Sequence, residues 1–83
     1  MILQIFSIYD RKAKAYTRPF YETNEMTASR SFAQALRDTE SQFSKTPEDF
    51  RMDRLGEFDD SNGVISAYES PEPIMEANPA TED

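Results

Sequence analysis

QFSKTPEDFRMDRLGEFDDSNG, residues 42–63, holds the densest run of local structural signals in the chain and an order of elements that can be read from it directly. Thr46, Pro47, Glu48 and Asp49 form a helix-start signature. Thr46 offers a capping oxygen, a proline at N1 gives up an N–H that would have no partner, and carboxylates sit at the positive end of the turn. The turn is short, because an alternating segment follows at once. Over residues 50–58, Phe50, Met52, Gly56 and Phe58 fall on one face and Arg51, Asp53 and Glu57 on the other, as in a strand. Arg54 and Leu55 break the alternation, which places an irregularity or bulge near Gly56. Asp59-Asp60-Ser61-Asn62-Gly63 then reads as a hairpin loop, since Asn and Gly accept positive φ and Asp accepts local backbone hydrogen bonds. A returning strand is expected over residues 64–68.

Working outward from this hairpin, Ile2, Leu3, Ile5, Phe6 and Ile8 make a near-continuous apolar run suited to a central strand buried on both sides, expected over residues 2–9. After a charged break, residues 15–20 read as a short edge strand limited by Pro19. Asn24 or Thr27 can cap a helix running to about Asp38, with Ala28, Phe32, Ala35 and Leu36 on its apolar face and Arg30, Gln34 and Arg37 opposite. These elements predict an α+β fold: a small antiparallel sheet of three to four strands with one helix packed on one face. The second sheet face then needs cover, to which Phe50, Met52 or Phe58 would contribute, and a homodimer would supply it.

Residues 1–69 form the expected domain. Residues 70–83, SPEPIMEANPATED, hold three of the five prolines and four acids with few large apolar side chains, and read as a disordered acidic tail whose deletion leaves the fold intact. Such a tail either screens a basic face, binds a partner's basic patch, or keeps a small protein soluble.

Composition removes most catalytic chemistry. With no cysteine and no histidine, the 83-residue chain lacks thiolate and imidazole metal sites, Ser-His-Asp and Cys-His catalysis, and disulfides. Aligning the loop as a calcium site places Phe58 at its first ligand position, so a hairpin turn is the better reading. Glu57, Asp59 and Asp60 have no catalytic partner nearby in sequence. No enzyme activity, metal or other cofactor is therefore expected. The apolar run after Met1 is far shorter than the ~20 residues of a membrane span and has no basic leader, which points to a cytosolic protein without membrane contact.

The net charge of −7 is divided unequally. Residues 1–37 hold six Lys or Arg against three acids, whereas residues 38–83 hold three against thirteen. A basic face on an acidic protein is thus allowed. Tyr9, Arg11, Lys12, Lys14, Tyr16 and Arg18 form a cationic and aromatic cluster, flanked by Phe20 and Tyr21, of the kind that binds single-stranded nucleic acid through phosphate contacts and base stacking. The same residues also fit a solvated turn whose aromatics flank the core.

IYDRKAKAY with a following RPF, then ASRSFAQAL, ESQFSKTPEDF and LGEFDDSNG, resembles the small nonstructural protein of gokushovirus-type microviruses, phages with circular single-stranded DNA genomes. The resemblance spans residues 5–65 and implies a non-catalytic role in genome replication, described as the switch to single-stranded DNA synthesis or as DNA binding, in the cytoplasm of a bacterial host. It supplies no active-site motif. The expected partners are single-stranded DNA and viral or host replication proteins, with a protein–protein adaptor acting through the acidic half as the alternative.

Overall fold

The computed structural model describes residues 1–77. The chain runs β1 (Ile2–Asp10), β2 (Ala15–Tyr16), β3 (Phe20–Glu22), α1 (Glu25–Arg37), α2 (Gln42–Lys45), a 3-10 turn (Pro47–Asp49), β4 (Phe50–Asp59) and β5 (Val64–Glu76). The five strands form one antiparallel sheet in the order β2-β1-β4-β5, with β3 pairing the same edge of β1 further along. This is a mixed α/β architecture with one main helix, as the sequence pattern indicates.

Central β1 has Ile5, Phe6, Ser7 and Ile8 all buried, as its unbroken apolar run requires. Phe6 and Ile8 join Phe50 and Met52 of β4, Ala28 and Phe32 of α1, and Ala77 in one buried cluster; Phe20, Leu36, Phe43, Ile74 and Met75 pack against it. Asn24 caps α1 through Oδ1, which accepts from Thr27 N at 2.8 Å, and Arg37 sits in the last turn, where a cation opposes the helix dipole. The 3-10 turn starts at Pro47 as expected, yet the Thr46 side chain makes no capping bond; instead Asp49 N donates to the Thr46 carbonyl at 3.0 Å. Ahead of it, α2 is an additional turn capped by Ser41 and tied to the core by Phe43, whose ring meets Phe32 and Phe50 edge-on.

The bulge in β4 reassigns faces. Ile5 pairs with Gly56 and Phe6 with Arg54, so Leu55 is the extra residue. Because side chains alternate, one added residue moves everything beyond it to the opposite side. Phe50 and Met52 therefore lie in the core with the helix, while Phe58, paired with Leu3, lies on the other sheet face with Arg51 and Asp53. Of the three residues expected to cover the second face, Phe58 alone is there. Gly56 has a steric reason: a Cβ at this position would meet the Ser66 carbonyl oxygen and come within 2.9 Å of Ala67 Cα across the β4–β5 pair.

β5 overturns the expected end of the domain. The strand continues past residue 68 to Glu76, pairing Glu72, Pro73, Met75 and Glu76 with β4, so residues 70–76 of the presumed tail belong to the sheet. Both prolines in this part, Pro71 and Pro73, fall on an edge strand, where a missing donor is tolerated, and the register shifts between Met52 and Asp53 let Ile74 and Met75 reach the core. Its acids are matched by distant cations: Arg54 donates to Glu72 at 2.8 Å, and Arg11 grips both oxygens of Glu76 at 2.8 and 2.7 Å. The remainder of the expected tail, residues 78–83, lies outside the described residues.

Candidate functional site

A tight turn joins β1 to β2. Asp10 Oδ1 accepts from Lys12 N at 2.9 Å and Ala13 N at 3.2 Å, while Lys14 N donates to the Asp10 carbonyl at 2.7 Å. This closes the loop on Asp10 and leaves the Lys12 and Lys14 side chains exposed. Lys14 has φ of 57°, in the left-handed region that favours glycine or asparagine. A lysine there costs backbone energy of order 1 kcal/mol and places a cation at the tip of the turn.

Past β2, Thr17 replaces part of the regular ladder. Its N–H donates to the Ile8 carbonyl at 2.9 Å, its Oγ1 accepts from Ile8 N at 3.1 Å, and its carbonyl accepts from Ser7 Oγ at 2.7 Å. Buried Ser7 is thereby satisfied, and exposed Arg18 is carried at the sheet edge before Pro19. Among the described residues, Lys12, Lys14 and Arg18 form no ion pair. Arg11 differs from these three: besides its two bonds to Glu76, Nη1 donates to the Glu48 carbonyl at 2.9 Å, so it latches the end of β5 to the 3-10 turn.

The two tyrosines are direct cross-strand partners, with ring centroids 4.9 Å apart and planes inclined by 53°. The Arg51 guanidinium carbon lies 4.8 Å from the centre of the Tyr9 ring, within cation–π range. Arg51 is itself held by Asp53, donating from Nε to Oδ1 at 2.8 Å and from Nη2 to Oδ2 at 3.0 Å. Tyr16 OH donates to the same Oδ2 at 2.6 Å. Asp53 is fully buried, and these three donors satisfy it. Tyr9, Tyr16, Arg51 and Asp53 thus form one fixed unit on the sheet face away from the helix, with Tyr16 as a whole residue 38 % exposed.

The structure therefore brings Tyr9 and Tyr16 into contact, leaves Lys12, Lys14 and Arg18 exposed in the turn before Tyr16 and on the edge after it, and engages Arg11 elsewhere. Residues 11–21 contain four cations and no acid, whereas residues 59–76, the hairpin loop and β5, contain five acids and no cation. With β1 and β4 between them, the strand order sets the edge that carries Lys14 and Arg18 opposite β5, while at one end of the sheet the two groups meet where Arg11 binds Glu76.

A family model described as Phage ORF5 protein matches residues 3–80. The chain belongs to this family. No curated protein and no solved structure matches it. Membership makes it a phage protein.

Two side chains of this unit in the Phage ORF5 protein, Arg51 and Asp53, are absent from the set expected from sequence. The alternation of β4 does assign them to the face away from the core, but an Asp on such a face reads as solvated, and only the return of Tyr16 over it reveals the burial. Elsewhere, the loop after β4 is the expected hairpin turn: Gly63 has φ of 77°, its N–H donates to the Asp59 carbonyl at 2.8 Å, and Asp59 Oδ1 accepts from Ser61 N and Oγ. Those bonds hold the Asp59 carboxyl below its ordinary range. No group of three or more acidic side chains suited to a metal ion occurs among the described residues, nor does a helix long and apolar enough to cross a membrane.

The Tyr16 phenol is shifted upward from its ordinary value near 10, first by burial and then by its bond to the Asp53 carboxylate, both of which favour the neutral form. With the folded value above the unfolded one, its contribution to stability is complete below pH 10 and is lost as pH rises through the folded value. Replacing Tyr16 by Phe is expected to cost roughly 1 to 2 kcal/mol at neutral pH, toward the low end for a charge-assisted bond because the ring is partly open to solvent. The variant should also lose less stability than the parent above pH 10. Urea unfolding at pH 8 and at pH 11 measures both effects.

Proposed function

We propose that this Phage ORF5 protein is the small nonstructural protein of a gokushovirus-type microvirus. In this reading it is a non-enzymatic accessory of genome replication that binds single-stranded DNA during its synthesis in the host cytoplasm. The observation carrying the reading is the separation of charge across the sheet. An acidic protein repels phosphate unless its acids are held away from the contact surface, and here β1 and β4 stand between the basic edge and β5. Lys12, Lys14 and Arg18 would meet backbone phosphates, while the exposed ring of Tyr16, held by Asp53 and backed by Tyr9, offers a stacking platform for a base. Arg11 acts by holding β5 in place and contributes little to phosphate binding.

Fluorescence anisotropy with a labelled single-stranded oligonucleotide, titrated over salt, tests the roles separately. Changing Lys12, Lys14 and Arg18 together to Ser should weaken binding and reduce the log–log salt slope by about 2, at about 0.7 for each lost phosphate contact. Tyr16→Leu should weaken binding by about 1 to 3 kcal/mol per stacked base with the slope unchanged. If neither variant differs from the parent, these residues do not form the contact surface.

The adaptor reading is favoured by one feature. Among the described residues the outer edge of β5 has no strand partner, and Val64 and Ile65 on it are 52 % and 58 % exposed. An extended segment of a viral or host replication protein could add there as a further strand, short of Pro71 and Pro73.

A further inference from the structure

Tyr21 belongs neither to the buried cluster under α1 nor to the Tyr16 unit. It lies on β3 directly opposite Ile5 of β1, and Tyr16 on β2 lies opposite Tyr9, so the two tyrosines stand four β1 residues apart along one edge of the sheet. Ile5 and Tyr9 share the side of β1 opposite to Phe6 and Ile8, and direct cross-strand partners point to the same side. Both tyrosines therefore rise from the face away from the helix, about 13 Å apart at ~3.3 Å per residue. They are 38 % and 45 % exposed, in chain order. Each is fixed by a neighbour: Tyr16 OH donates to Asp53 at 2.6 Å, and the Tyr21 ring meets Phe58 edge-on at 5.6 Å.

The chain around the two rings supplies cations. Thr17, Arg18 and Pro19 join β2 to β3 along this edge, and Thr17 is bonded to Ile8, between Ile5 and Tyr9, so exposed Arg18 sits between the rings. Lys12 and Lys14 lie beyond Tyr16 in the turn, and none of these three cations forms an ion pair among the described residues. Glu22, next to Tyr21, shares the opposite side with Gln4 and accepts from Ser31 at 3.4 Å, so it is directed away from the Tyr21 ring. Cation, ring, cation and ring thus follow one another along the edge, as phosphates and bases do along a single strand. We propose that Tyr21 is a second base-stacking platform, and that single-stranded DNA runs along the β2–β3 edge with bases on Tyr16 and Tyr21 and an intervening phosphate on Arg18. The inference rests on the nucleic-acid reading above and adds the path and length of the contact. A gap of about 13 Å corresponds to about four steps of a stacked strand at ~3.4 Å each, and to fewer in an extended one. Aromatic rings on one sheet face that each take a base of the same strand are a recurring mode of single-strand recognition, tolerant of sequence because every base has a π-face.

Anisotropy titrations of the full chain with a labelled oligothymidine of about ten nucleotides test the second platform, with Tyr21→Leu expected to weaken binding roughly tenfold and to leave the salt slope unchanged. Tyr21→Phe keeps the ring and should bind within about twofold of the parent. Because the two rings take different bases, the losses from Tyr16→Leu and Tyr21→Leu should multiply in the double variant. Photocrosslinking of the unaltered chain to strands carrying 5-iodouracil gives the same test without a substitution: adducts are expected on both tyrosines, formed from positions about two to four nucleotides apart. Tyr21→Leu binding as the parent does while Tyr16→Leu binds more weakly, or crosslinks on Tyr16 with none on Tyr21, overturns this inference and leaves the nucleic-acid reading in place. A parent chain that binds no single-stranded DNA overturns both.

Discussion

A chain ending at residue 69 is expected to lose its cooperative melt near room temperature. The cut removes the second half of β5 and, with it, Ala77 from the buried cluster and Ile74 and Met75 from its margin. Burial of a branched or methionine side chain is worth about 1.5 to 3 kcal/mol, reduced here because two of the three are only partly buried, so the loss sums to roughly 4 kcal/mol before ladder bonds are counted. The cut also leaves Arg11 without Glu76, Arg54 without Glu72, and the outer edge of β4 unpaired over residues 51–54. For a domain whose total stability is about 5 to 15 kcal/mol, and whose melting temperature moves about 4 to 8 °C per kcal/mol, such a loss is close to unfolding. Thermal melts by circular dichroism on the truncated and full chains give the comparison. A truncated chain melting within a few degrees of the parent would show that residues 70–77 do not belong to the core.

Asp53→Ala should be the most damaging single change on the face away from the helix. It removes a fully buried carboxylate while leaving its three donors, Arg51 Nε, Arg51 Nη2 and Tyr16 OH, without an acceptor. Breaking a buried pair by removing one member costs about 3 to 5 kcal/mol, and the lower figure applies here because the Arg51 side chain is 26 % exposed and can regain water. Asp53→Asn keeps an acceptor for Tyr16 but loses the charge opposite Arg51, and should cost about half as much. Urea unfolding with unchanged m-values would measure both. A cost below about 1 kcal/mol for the alanine variant would mean that the unit is not held as described.

Where signals are local, the sequence is sufficient. The Asn24 cap and the Ala28–Phe32 spacing define α1, Pro47 marks the turn before β4, Asn62–Gly63 marks the hairpin, and the broken alternation at Arg54–Leu55 locates the bulge. Which face each β4 residue joins depends on that bulge's position, and a shift of one residue carries Phe58 from the core side to the other face. The end of β5 is illegible for a different reason. A segment of prolines and acids matches the composition of a tail, and what holds it is supplied by Arg54 and Arg11, 18 and 65 residues away in sequence. At the candidate site, the tyrosine and lysine cluster is legible because it is contiguous in sequence. The engagement of Arg11 and the burial of Asp53 both depend on strands returning from elsewhere.

Salt-titrated binding of single-stranded DNA tests the central functional claim most directly. Three cations on the edge opposite the acids of β5 should give measurable affinity at low ionic strength, falling on a log–log plot with a slope of about −2, from three contacts at about 0.7 each. Parallel measurement with duplex DNA should show weaker binding, because paired bases cannot reach the Tyr16 ring. No salt-dependent affinity for single strands at low ionic strength would contradict the nucleic-acid reading and leave the acidic β5 edge as the functional surface.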